Sequence, residues 1–320
     1  MLAYSDTAGG DELDPVAEQV ATALRDSGHE ASIVAIHDDV EAMIAALRAR
    51  KPELVFNLVE QFGEDLRGDI AVTALLDLLG LHYTGCGPGE LYLANDKALA
   101  KKLLAFEDLL YPKFAVFSAD ADMETGGNLR MPLFVKPARM DASIGIDASS
   151  LVRDATTLMK RVVAIHEETS DAALAEEYIE GREIYVSILG NRDPQVLPPV
   201  EIDFTGFPDG QPRVLDARAK FEEDTAEYRG TRAVIAELGD ELAARLKKIA
   251  LSAYRALKVR DYGRVDLRLA ETGDIYVLEV NAGCYLEKDS ELAMSARAAG
   301  IEYPALIARI AELAVERYGK

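Results

Sequence analysis

Asp266, Glu279 and Asn281 lie on two consecutive apolar segments, Gly263-Arg-Val-Asp-Leu-Arg-Leu269 and Ile275-Tyr-Val-Leu-Glu-Val-Asn281. In an extended strand alternate side chains share a face, so Glu279 and Asn281 point the same way while Val280 turns inward. A hairpin closed over Glu271-Thr-Gly-Asp274 brings Asp266 beside them. Two carboxylates and an amide oxygen form a hard, oxygen-only donor set, suited to magnesium bridging nucleotide phosphates. Arg264, two positions before Asp266, adds a cation on the same face. The plainer alternative is two solvated acids at the end of an edge hairpin.

The elements that must position this hairpin follow from periodicity. Leu13, Val16, Val20 and Leu24 mark a helix ending at Gly28, with a strand over residues 31–36 behind it. A helix over residues 38–50 leads to a strand at 54–57, and another over 68–79 leads to 82–85. Such alternation favours a small parallel sheet wrapped by helices. A helix containing Asp96 and Lys97 opens a second unit, with strands at 113–117 and 133–136 and a helix over 151–165. Between Lys136 and that helix lies a small-residue loop, 137–145, which either closes over phosphates with backbone N–H groups or is an ordinary surface loop. The third unit has strands at 174–179 and 183–189 around Gly181. A polar stretch from 203 to 232, a helix, the hairpin and two C-terminal helices follow. The expected class is α/β, as α+β lobes behind a small parallel-sheet subdomain, divided as residues 1–95, 96–175 and 176–320.

A chain of 320 residues, 49% hydrophobic, can bury a sizeable core. Its formal net charge of −21 argues against nucleic acid and against an anionic membrane surface, since both require clustered Lys and Arg. An anionic substrate therefore needs a local basic patch that overcomes the global field. Cys86 and Cys284 stand in no metal-ligand spacing and support no disulfide framework, which suits a reducing cytoplasm. The first residues lack the pattern of a signal peptide, and no apolar run approaches the roughly 18 residues of a membrane helix. With four scattered His residues, nucleophilic hydrolysis by a Ser-His-Asp set has little support.

In order along the chain, Gly63-Glu-Asp65, Tyr83-Thr-Gly85, Asp96-Lys97, Phe134-Val-Lys-Pro137, Ser143-Ile-Gly145, Glu176 to Glu183, Lys220, Gly263-Arg-Val-Asp266 and Glu279-Val-Asn281 resemble the D-alanine:D-alanine ligase branch of the ATP-grasp superfamily. The resemblance covers about residues 54–290. It implies three subdomains, with ATP between two α+β lobes driving ligation of a carboxylate to an amine through an acyl phosphate. It implies that Lys97, Lys136 and Lys220 meet the phosphates, Lys220 from a loop that closes over the site. Ser143 would lie in the phosphate loop, Glu176, Glu177 and Ile179 at the adenine, and Glu183 at the ribose. Asp266, Glu279 and Asn281 would hold magnesium, two ions with manganese as a substitute, and Arg264 would stabilise developing charge. A homodimer is implied on the same ground alone.

The sequence also departs from that family. No convincing Gly-Gly-x-Ser-x-Glu element opens the chain, and Leu58-Val-Glu-Gln-Phe62 lacks the family's histidine. A serine and a tyrosine of the substrate-orienting network fall at Ala142 and Phe221. After Asn281, the family's acceptor-pocket segment is replaced by Ala282-Gly-Cys-Tyr-Leu-Glu-Lys-Asp-Ser290. Within it Gly283, Tyr285, Lys288 and Ser290 are the expected substrate residues. The leading expectation is an ATP- and magnesium-dependent ligase joining a small-molecule carboxylate to an amine, both substrates amino acids but not two D-alanines, in a dipeptide-like amide bond. The alternatives are a true D-alanine:D-alanine ligase and an ATP-binding regulatory protein without turnover.

Overall fold

The computed structural model describes residues 1–7, 13–125, 127–140, 143–208, 213–215, 219–220, 222 and 224–319. Ala142 and Phe221 lie outside the described residues. Strand β1 (Leu2–Tyr4) forms the centre of a parallel sheet, flanked by β2 (Val34–Ile36) and β3 (Asn57–Leu58). Helix α1 (Pro15–Asp26) joins the first two strands and α2 (Val40–Arg50) the next two; α3 (Gly68–Leu78) follows. Asp14 and Asp39 cap the first two helices by accepting from Val16 N and Ala42 N, so each helix starts where an acid can satisfy its unpaired N–H groups. Residues 82–85 form no strand of this sheet but lie against it: Tyr83 bridges Val55 and packs with Leu2, Val34 and Ile36, and the Thr84 hydroxyl accepts from Asn57 N at 3.0 Å.

Helices α4 (Pro88–Asn95) and α5 (Lys97–Phe106) lead into a second, antiparallel sheet. Its strands are β4 (Phe114–Phe117), β5 (Glu124–Thr125), β6 (Leu133–Pro137), β7 (Leu151–Val152) and, after helix α6 (Ala155–Thr169), β8 (Ala173–Glu177), in the order β5-β4-β8-β6-β7. Helix α6 starts four residues later than the periodicity predicts. Leu151 and Val152 pair instead with Phe134 and Leu133, and Asp154 caps the helix through Thr157 N.

The third sheet contains β9 (Arg182–Leu189), β10 (Gln195–Val196), β11 (Val200–Asp203), β12 (Arg232–Ile235), β13 (Tyr262–Leu269) and β14 (Ile275–Asn281). Helix α7 (Ala226–Arg229) precedes β12, α8 (Asp240–Ala256) precedes β13, and α9 (Glu291–Ala298) and α10 (Tyr303–Tyr318) end the chain. Leu246, Ala250, Ala253 and Tyr254 of α8 pack on Ile184, Val186, Ile188, Val265, Leu267, Val277 and Val280. That burial commits one face of β9, β13 and β14 to the core and leaves the other for polar side chains. Helix α10 returns to the first sheet's layer, where Leu306, Ile307 and Ile310 join Val16, Val20 and Leu24 of α1. Its Arg317 bonds the fully buried Asp261 at 2.9 Å and the carbonyl of Tyr83 at 2.8 Å, tying the third sheet to the first unit. Among the described residues no helix is long and apolar enough to cross a membrane.

Candidate active site facing the central lysines

The hairpin forms as its sequence predicts, with Asp266 opposite Glu279 and Arg264 opposite Asn281. One feature of its pairing departs from simple alternation. Leu267 pairs with Val277, so Leu278 is an extra residue, a β-bulge. Without it Val277, Glu279 and Asn281 would share a face; the bulge resets the phase, so that Val277 and Val280 both enter the core. Glu279 and Asn281 are thereby turned to the face of Asp266. The Leu278 carbonyl accepts from Lys101 Nζ at 2.9 Å, which anchors the bulge to α5.

On this polar face Arg264 is held from three sides. Its Nε and Nη2 donate to Asp266 at 2.7 and 2.9 Å, its Nη1 donates to Glu291 at 3.0 Å, and its guanidinium lies 4.3 Å from the Tyr185 ring centroid. The Tyr185 hydroxyl donates to Glu183 at 2.7 Å, and Arg268 donates to the other Glu183 oxygen at 2.7 Å. Asn281 donates its amide nitrogen to Asp266 at 3.0 Å. Burial pushes the Asp266 carboxyl up to about 6, against the pull of Arg264 and with a further push from Glu279 and Glu183.

The second sheet supplies the opposing cations. Lys136, on β6, and Lys101, on α5, bond opposite oxygens of Glu176 at 2.9 and 3.1 Å, all three nearly excluded from solvent. Burial alone would raise the Glu176 carboxyl, yet the two ammoniums hold it below its ordinary value. Lys97 is buried at the first turn of α5 and donates to the Met140 carbonyl at 2.7 Å, across the base of the 137–145 loop. Ser143, with φ 60°, donates to the Leu215 carbonyl at 3.1 Å. Glu279 lies within the field of these cations. Burial would raise its carboxyl, but Lys136, Lys97, Lys220 and Arg264 together draw it down to about 2.

The fit of this face to a divalent cation rests on its donor set. A buried carboxylate, Asp266, and a half-buried one, Glu279, stand opposite each other with an amide beside them, and burial disfavours the charge of Asp266; an oxygen-seeking cation relieves that cost. Among the expected adenine residues, Glu176 is engaged by the lysines, Glu177 is bonded by Arg130 at 3.2 Å, and Ile179 is half-buried just beyond β8.

The expected substrate segment alternates: Ala282, Cys284 and Leu286 are buried while Gly283 and Tyr285 are exposed. The Tyr285 hydroxyl donates to Asp14 at the start of α1, and the Lys288 N–H donates to Gln19 at 2.9 Å. The Lys288 side chain is exposed, and Ser290 caps α9 through Ala293 N. Four residues important to this arrangement escaped the sequence reading: Lys101, Tyr185, Arg268 and Glu291. Lys101 had a signal, since it shares the buried stripe of α5 with Lys97, Ala98 and Leu104. Glu291 reads in sequence as an ordinary first-turn helix acid.

Comparison with known proteins agrees with this architecture. The family described as D-ala D-ala ligase C-terminus matches residues 103–312. An uncharacterised protein, y4sG, of Sinorhizobium fredii is 33% identical over 95% of this chain and 88% of its own length. The D-alanine–D-alanine ligase of Desulforudis audaxviator is 32% identical over 93% of this chain and 92% of its own. The crystal structure of the Bacillus anthracis D-alanine–D-alanine ligase complexed with ATP superposes with a TM-score of 0.77 at 24% identity, covering 99% of this chain and 97% of that one. An ATP-grasp fold, a family match over most of the chain and full-length relatives together place this chain in the D-alanine–D-alanine ligase family of ATP-dependent ligases.

Proposed function

We propose that the protein is an ATP- and magnesium-dependent ligase that joins a small carboxylate to an amine other than a second D-alanine. The observation that carries this reading is the geometry of the hairpin face, where Asp266 and Glu279 stand opposite each other, Asn281 bonds Asp266 and Arg264 is clamped beside them, with the Lys97 and Lys136 charges acting on Glu279. Lys97, Lys136 and Lys220 would neutralise the ATP phosphates, with Ser143 in the covering loop. Glu176 would fix Lys136, the main chain near Ile179 would meet the base, and Glu183 the ribose. Asp266, Glu279 and Asn281 would hold magnesium, which supplies charge neutralisation at the phosphates when bound.

In the reaction the donor carboxylate oxygen attacks the terminal phosphorus and ADP leaves. The amine nitrogen then attacks the acyl carbon, the carbon–oxygen bond to phosphate breaks, and the amine gives up a proton. Arg264, fixed by Asp266, Glu291 and Tyr185, is preorganised to stabilise negative charge on the tetrahedral centre. Lys220, helical and half-buried in the polar segment, would contact the terminal phosphate. ADP release should require carboxylate and amine together and stop on chelation, and Glu279→Gln should lower turnover by about 100-fold or more. Wild-type turnover that survives chelation contradicts the reading.

Several relatives are D-alanine–D-alanine ligases by name, which favours a second reading, ligation of two D-alanines. Incubation with D-alanine and ATP, followed by mass spectrometry for the dipeptide, separates the two.

A further inference from the structure

We infer that Glu291 occupies the place an acceptor's carboxylate would take, and so selects an amine with no carboxylate beside its amino group. This deepens the ligase reading and rests on it. The starting observation is the state of Arg264, whose Nη1 is bonded to Glu291 at 3.0 Å while Asp266 takes its other edge. The Arg264 and Glu291 side chains are 13% and 23% exposed, so this pair is shielded but open on one side. One guanidinium is thus shared between two carboxylates, and the three groups sum to a negative charge. An α-amino acid brings its own carboxylate to the acceptor position, where it must find a cation or N–H donors to replace water.

Ser290, which the family resemblance implies would meet the acceptor's carboxylate, directly precedes Glu291 and has its oxygen at the α9 cap, 3.4 Å from Ala293 N. A carboxylate placed there would stand beside that of Glu291, and like charges at close range in a shielded site repel strongly. An amine arrives as an ammonium at neutral pH and meets attraction instead. The outer wall adds to the same bias. Tyr285 bonds Asp14, and burial first, then Asp14, Glu60 and Glu287, push its phenol toward the neutral form. These acids add to a local field that favours a cationic over an anionic acceptor, and a diamine, carrying two ammoniums, tests that bias most strongly.

The test is ADP release by the purified full chain, with common amino acids and D-alanine as donors. The acceptors would be D-alanine, its decarboxylated analogue ethylamine, D-alaninamide and 1,4-diaminobutane. Wild type should show kcat/KM for the amines and the amide at least about 10-fold above that for D-alanine. Glu291→Leu should invert or erase that preference, and Glu291→Gln should narrow it, while both variants keep the stabilisation by ATP that shows an intact nucleotide site. A wild-type preference for free amino acids overturns the inference, as does a ratio unchanged in either variant. Turnover with no pair at all, despite ATP binding, overturns the ligase reading and this inference with it.

Discussion

Glu176 shows how a residue's role can depend on partners the sequence does not place beside it. The resemblance assigns it to the adenine, yet its carboxylate lies between Lys101 and Lys136, and Lys101 in turn anchors the bulge of β14. Glu176→Gln would remove the one carboxylate that bridges two buried ammoniums, and should cost about 3 kcal/mol in urea unfolding at pH 7. The pH dependence has a defined sign. Because the folded carboxyl lies below its ordinary 4.5, its contribution is present above pH 4.5 and fades as pH falls toward the folded value. The gap between wild type and Glu176→Gln should therefore shrink below pH 4.5; a gap that widens there contradicts the assignment. Asp266, Glu279 and Asn281 were legible because they sit in strand periodicity. Glu291 was not, because a helix-capping acid and an arginine partner have the same local sequence.

The hairpin and its supports were the most legible elements. Long strands packed on one face announce themselves through alternation, as β9 and β13 do. The bulge at Leu278 was hidden for the same reason, since Ile275, Val277, Glu279 and Asn281 alternate without a break and only pairing with β13 reveals the shift. Strand β1 has three residues, too few to show a period, although it is the centre of its sheet. Gly181, the turn between β8 and β9, belongs to the same scale. It adopts φ 148°, and an added Cβ would lie 2.0 Å from the Leu269 carbonyl oxygen. Its own carbonyl accepts from Arg268, the partner of Glu183. Gly181→Ala should cost about 2 kcal/mol or more in unfolding free energy and raise the KM for ATP, because the turn that aims Glu183 must move. Unchanged stability and unchanged KM would show that the turn tolerates a side chain and does not aim the nucleotide site.

Across the whole molecule, a chain of net charge −21 sets several of its cations against one carboxylate, Glu279. Lys97, Lys136 and Lys220 reach Glu279 from segments far from it in sequence, and Arg317 locks α10 to Asp261 and the Tyr83 carbonyl across the units. The succession of helices and strands was readable from their periodicity; the mutual placement of the three sheets was not, because it depends on such distant pairs as Arg317 with Asp261. The central claim is that these lysines and acids form one site for a metal-bound triphosphate. Calorimetric titration of ATP into the full chain, with magnesium and then with a chelator, tests it most directly. The account predicts saturable binding that weakens at least about 10-fold on chelation and likewise in Glu279→Gln, because the divalent charge is removed from between carboxylates and phosphates. Binding of equal strength in all three conditions, or none in any, would contradict it.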